Sequence, residues 1–163
     1  MKTLLLMRHA KSSWDQPELA DRERPLNKRG QKDAPNLGRV LKKKDIIPDR
    51  VFTSTAVRAA QTADLVAEKV HFKGEVTYLD SYYLAEPDAY LVPVRELPED
   101  VKTVLIVGHN PGIEGLLQIL SRKVESMPTA ALARISLPID SWQDLTLETK
   151  GKLKDLWLPR DLK

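Results

Sequence analysis

Two stretches of the chain are apolar without alternation, "TLLLM" (Thr3–Met7) and "TVLIVG" (Thr103–Gly108). A strand with one wet face alternates, so both predict strands buried on two faces, as in a parallel sheet covered by helices. Shorter runs, "RVFTS" (Arg50–Ser54) and "EVTYL" (Glu75–Leu79), predict two further strands. Helical spacing lies between them. Ala59, Ala63, Val66 and Val70 form one apolar stripe, and Ile113, Leu116, Leu117 and Leu120 form another. A third helix is expected to open at Asn27, a suitable N-cap, and to bury Ala34, Leu37 and Leu41. Pro35 inside that pattern predicts a kink or a helix in two pieces. From Ala131 the pattern alternates and turns often ("ARISLP", "LTLET", "KLKDLWLP"), which predicts edge strands or a hairpin. Strands and helices in this order predict a three-layer α/β/α sandwich with a mostly parallel central sheet.

Composition narrows the classes of function. At 163 residues the chain is expected to form one domain, 1–163, with its own hydrophobic core. There is no internal repeat and no low-complexity segment. Lys and Arg exceed Asp and Glu by 26 to 23. The only basic run, Lys42-Lys43-Lys44, reads as a solvated helix end, so no nucleic-acid partner is expected. The chain has no cysteine, which excludes disulfides, thiolate catalysis and cysteine-ligated metal sites. Thr3–Met7 is too short for the apolar region of a signal peptide and runs straight into Arg8. No apolar run approaches the ~20 residues needed to cross a bilayer. A cytoplasmic protein with no membrane partner is the expectation.

The candidate chemistry lies where the buried strands end. Arg8-His9 follows the first strand, and "GHNPG" (Gly108–Gly112) follows the most apolar one. "TSTAVRAAQTA" (Thr53–Ala63) follows the second and puts Arg58 in the first turn or so of a helix. In open α/β sheets, ligands bind beyond the carboxyl ends of strands, near helix N-termini. Asn110 as N-cap and Pro111 as first helical residue would place His109 just before a helix. Two arginines and two histidines at one sheet edge suit an anion with several oxygens, phosphoryl above all. Arginine supplies forked charged donors and imidazole a nitrogen nucleophile. His71, at a helix end in "VHFKG", is read as structural or exposed. A GxxxxGK[ST] phosphate loop is absent.

These residues resemble the histidine phosphatase superfamily, with its phosphoglycerate mutase-like fold. The family's RHG motif reads "RHA" here, Arg8-His9-Ala10. "TSTAVRAAQTA" is similar to its Ser-rich turn and following Arg helix, "GHNPG" to its late Gly-His motif, and "RPLNKRGQ" (Arg24–Gln31) to its Leu-Thr helix start. The resemblance runs from Leu4 to about Leu120, in the family's order. Short length, "RHAKSSW" and "WLPRDL" are closest to the small phosphohistidine phosphatases of the SixA type.

The resemblance implies a covalent mechanism. His9 would attack phosphorus and become phosphohistidine, while Arg8, Arg58 and His109 hold the non-bridging oxygens and Ser12 lends a hydroxyl. It implies no metal and no cofactor. Ala10 in place of glycine requires a backbone conformation open to an L-residue. A general acid is less clearly marked: Glu86 in "YLAEPDAY" is the nearest candidate, with Asp15 and Asp21 as alternatives. A weak or missing acid favours a phosphoramidate, because imidazole with a pKa of about 6.5 leaves more readily than an alkoxide. Phosphohistidine on a partner protein is therefore the expected substrate. The alternatives are a small-molecule or sugar phosphatase and a phosphate-recognition module that does not turn over.

Overall fold

The two unalternating apolar runs lie side by side at the centre of one sheet. The structure is a computed structural model and describes residues 1–162. Its strands are β1 (Lys2–Arg8), β2 (Arg50–Ser54), β3 (Thr77–Leu79), β4 (Thr103–Gly108), β5 (Leu132–Leu137) and β6 (Lys152–Trp157). Their spatial order is β3-β2-β4-β1-β5-β6. Pairing is parallel from β3 through β2 and β4 to β1, and antiparallel from β1 to β5 and from β5 to β6. The sheet is therefore mixed.

Helices α1 (Lys28–Lys43), α2 (Val57–Lys69), α3 (Pro87–Leu91) and α4 (Gly112–Ser121) cover its two faces. Side chains of β1 alternate between the layers. Leu4 and Leu6 join Ile113, Leu116, Leu117 and Leu120 of α4, whereas Leu5 and Met7 join Leu37 and Leu41 of α1 and Val66 of α2. That two-sided burial is why the strand sequence does not alternate. Each fully buried leucine contributes about 1.5–3 kcal/mol relative to exposure. The expected three-layer α/β/α sandwich is the observed architecture.

Several expectations need correction. The helix through Pro35 is neither broken nor in two pieces: α1 runs unbroken from Lys28 to Lys43. Its buried stripe, Ala34 and Pro35 with Leu37 and Leu41, continues across the proline, and this packing outweighs one missing hydrogen bond. Asn27 caps the helix as expected, accepting from Gly30 N–H at 2.9 Å. The strand expected at Glu75 begins only at Thr77. The alternating segment forms an antiparallel pair as expected, with β6 at the edge of the sheet, although β5 itself lies inside it, between β1 and β6. "LTLET" forms no strand, because the chain turns through a 3-10 helix at Trp142–Asp144 and a bend held by Thr149 N–H donating to Thr146. Lys42, Lys43 and Lys44 are exposed at the end of α1, and His71 is exposed after α2. No helix among the described residues is long and apolar enough to cross a membrane.

Candidate active site

Parallel pairing brings the first and last motifs together. Arg8 of β1 stands opposite Gly108 of β4, so the next residues, His9 and His109, leave the sheet side by side. His9 N–H donates to the Gly108 carbonyl at 3.0 Å, and the two imidazole centroids lie 5.2 Å apart. His9 Nδ1 is 2.8 Å from the carbonyl oxygen of Ala10. A carbonyl only accepts, so this contact assigns the proton to Nδ1 and leaves the lone pair on Nε2. Burial first, and then the neighbouring His109 and the Arg58 and Arg8 guanidinium groups, push the His9 pKa down to about 3, against the pull of the Ala10 contact. The ring is neutral at physiological pH, as an attacking nitrogen must be. Ala10 has no positive φ, so alanine replaces glycine without backbone strain.

Arg58, the second residue of α2, is buried. Its guanidinium donates to both the backbone carbonyl and the carboxylate of Asp21, at 2.7 and 2.9 Å. Asp21 also accepts from Tyr83 Oη at 2.5 Å and from Arg24 at 3.0 Å. These donors, Tyr83 first, hold its pKa down to about 2. Asp21 is thus an ionised clamp on two arginines. The loop carrying it doubles back on itself: Ser13 N–H bonds to Pro25, Asn27 N–H bonds to Lys11, and Ser12 bridges to Leu26. Ser12 Oγ accepts from buried Arg24 at 2.6 Å, which leaves the serine hydrogen free for a ligand. Among the described residues the Arg8 side chain makes one hydrogen bond, from Nη1 to the Met127 carbonyl at 3.2 Å, and its Nε has no partner.

His109 is equally constrained. Its backbone N–H donates to Tyr90 Oη at 3.0 Å, Tyr83 packs edge-on against its ring, and its Nε2 is 2.8 Å from Ser54 Oγ. The Ser54 oxygen already accepts from Ala56 N–H at 3.1 Å. Its hydrogen can go to Nε2, which puts the ring proton on Nδ1, while its second lone pair can instead accept from Nε2–H. That Nδ1 is buried without a partner in a residue that lines the cavity. Burial, then Arg58, lowers the His109 pKa to about 4. Asn110 does not cap α4. Pro111 occupies the N-cap position and the helix begins at Gly112. The Asn110 amide instead donates to the Met127 carbonyl at 3.0 Å and to Glu114 at 3.3 Å. A Cβ on Gly112 would fall 1.9 Å from the Ala85 carbonyl oxygen, so only glycine permits this approach.

All five residues singled out by the sequence, Arg8, His9, Ser12, Arg58 and His109, line one cavity of about 260 Å³. Lys11, Trp14, Arg24, Leu84, Asn110 and Thr129 complete its wall, and no carboxylate is among them. Neither Glu86 nor Asp15 lines the cavity; both are exposed, Glu86 at the start of α3. Asp21, bonded to Arg58 and Arg24, does not line it either. Arg24 is the residue that sequence reasoning missed, although it opens the quoted segment "RPLNKRGQ". Among the described residues, no group of three or more His, Asp or Glu is arranged to hold a metal ion. A neutral imidazole nitrogen beside fixed guanidinium groups is a pocket that can accept a tetrahedral oxyanion and form a bond to its central atom.

Comparison with known proteins identifies the family and the fold. The profile of the histidine phosphatase superfamily (branch 1) matches residues 4–81. An uncharacterised protein of Mycobacterium leprae is 30% identical over 94% of this chain and 100% of its own. The structure of a SixA protein from Agrobacterium tumefaciens superposes with a TM-score of 0.82 at 26% identity, over 97% of this chain and 98% of that one. The protein histidine phosphatase SixA complexed with tungstate shares the fold at a TM-score of 0.84 and 23% identity, over 99% of both chains. The chain belongs to the histidine phosphatase superfamily, in its SixA-type branch.

Proposed function

We propose that this phosphatase hydrolyses phosphohistidine on a partner protein through a phosphohistidine intermediate on His9. The observation that carries the reading is a cavity wall with a neutral imidazole, three arginines and a lysine, and no carboxylate. Arg8, Arg58 and the Nδ1–H of His109 bind the non-bridging oxygens, with Ser12 donating its hydroxyl hydrogen. His9 Nε2 forms a bond to phosphorus as the substrate's N–P bond breaks. The leaving ring keeps a proton on its second nitrogen, so the released nitrogen departs as neutral imidazole. Water then forms the new O–P bond, its protons pass to phosphate and solvent, and the His9 N–P bond breaks. Charge that develops in flight is met by fixed guanidinium groups, so no step uses a metal or a cofactor.

A phosphomonoester makes a harder demand, since an alkoxide needs a proton as it leaves. Asp21 is bonded to two arginines of the cavity wall, and its pKa of about 2 and three donors make it a poor acid. Two measurements test the reading. Rapid-quench labelling with a phosphohistidine peptide should give an acid-labile label that His9→Ala lacks; reversible binding with no label would make the protein a recognition module. kcat/KM should be higher for that peptide than for para-nitrophenyl phosphate or a sugar phosphate, and the reverse order would favour a small-molecule phosphatase.

A further inference from the structure

The mouth of the cavity carries two side chains that phosphoryl transfer does not require. Trp14 and Leu84 both line it, and they are 71% and 57% exposed. The indole is not loose. The Arg24 guanidinium carbon lies 3.3 Å from its ring centroid. Arg24 is in turn buried and bonded to the Ser13 carbonyl, the Ser12 hydroxyl and the Asp21 carboxylate. A cation over an indole face favours this orientation of the ring before a ligand arrives. One face is covered by the guanidinium and the other is open. Leu84 has a φ of 49°, a left-handed conformation that a leucine seldom adopts. Its neighbour Tyr83 is tied to Asp21, so the same carboxylate anchors both sides of the rim.

We propose that Trp14 and Leu84 form a docking rim for the ring of a phosphorylated side chain. The open face of the Trp14 indole stacks against the imidazole of phosphohistidine while its phosphoryl group enters the cavity. This rests on the phosphatase reading above and names what selects the substrate. Offset aromatic pairs attract beyond the area they bury, and a serine or sugar phosphate offers no aromatic ring to gain it. The rim is continuous with the nucleophile's cavity, which shares Arg8 and Asn110 with a larger one of about 510 Å³. Val124 and Leu158 line that second space together with Glu114, Glu125 and Arg160, a mixed apolar and charged surface for the chain flanking the phosphorylated residue.

Two donors with the same scissile P–N bond separate ring recognition from chemistry: phosphoramidate, which has no ring, and a phosphohistidine peptide. The ratio of kcat/KM for the peptide to that for phosphoramidate should fall at least tenfold in Trp14→Ala. It should stay within about threefold in Trp14→Phe and fall by a smaller factor in Leu84→Ala. An unchanged ratio in Trp14→Ala overturns the proposal while leaving the phosphatase reading intact. If Trp14→Ala alters only the sedimentation coefficient, the rim serves a second copy of this chain and the proposal is wrong. Turnover of neither donor by the unaltered protein overturns the phosphatase reading and this proposal with it.

Discussion

Ser54 has one hydroxyl hydrogen, and the character of His109 depends on where it goes. Ala56 N–H occupies a lone pair of the serine oxygen, and His109 Nε2 is the neighbour placed to receive the hydrogen. Ser54→Ala removes that bias, and both ring tautomers become accessible. kcat should then fall about tenfold, with KM changing less, and Ser54→Thr should restore most of it. Nitrogen-15 NMR of the imidazole gives a readout that a loss of packing would not. His109 should be Nδ1–H in the unaltered protein and a mixture in Ser54→Ala; an Nε2–H ring in the unaltered protein would contradict the donor role proposed for Nδ1. Arg58 is expected to matter more, because it is a preorganised charged donor. Arg58→Ala should lose about 3 kcal/mol or more of transition-state stabilisation in kcat/KM, as removal of such a donor generally does. A loss below tenfold would count against its place at the phosphoryl group.

Element by element, the site depends on how closely α1 approaches the loop after β1. A Cβ on Gly30 would fall 2.2 Å from the Lys11 backbone oxygen, and neither backbone has room to yield. Gly→Ala within a helix ordinarily gains about 0.5–1 kcal/mol. Here overpacking of about 1–3 kcal/mol should win, so Gly30→Ala is expected to destabilise the protein in urea titration. Because Lys11 and Ser12 line the cavity, kcat/KM should fall as well; a more stable, fully active variant would refute the close approach. The same loop marks the limit of what could be read from sequence. The motifs at the ends of β1, β2 and β4 were legible because two-faced burial makes a strand visible and its polar end conspicuous. Arg24 and Trp14 lie in a segment that folds by side-chain clamps on Asp21 and by a bridge from Ser12 to Leu26, and such contacts leave no periodic trace. The local sequence around Asn110 suits a cap, yet a distant carbonyl, Met127, holds its amide.

Across the whole molecule, the charges that shape the pocket also set how the fold responds to acid. His9 and His109 are buried and neutral, with pKa values of about 3 and about 4 in place of the ordinary 6.5. The unfolded chain therefore binds more protons than the folded one at any pH between those values and 6.5. Stability from the two rings is fully present above pH 6.5 and is lost as pH falls through that window. Between pH 7.5 and 5, each ring should remove on the order of 2 kcal/mol from the folding free energy. Asp21 acts lower down. Its carboxylate is held at about 2 against an ordinary 3.8, so its contribution is present above that ordinary value and disappears toward pH 2. Loss near pH 5 thus belongs to the histidines, and below pH 4 the clamp adds to what His9 still loses down to about pH 3. Urea unfolding at pH 7.5 and pH 5 should show the drop in the unaltered protein. His9→Asn, whose amide can still donate to the Ala10 carbonyl, should show a smaller one. General charge repulsion acts on both proteins alike, so an equal drop in the two would mean that His9 is not the buried neutral ring its environment dictates.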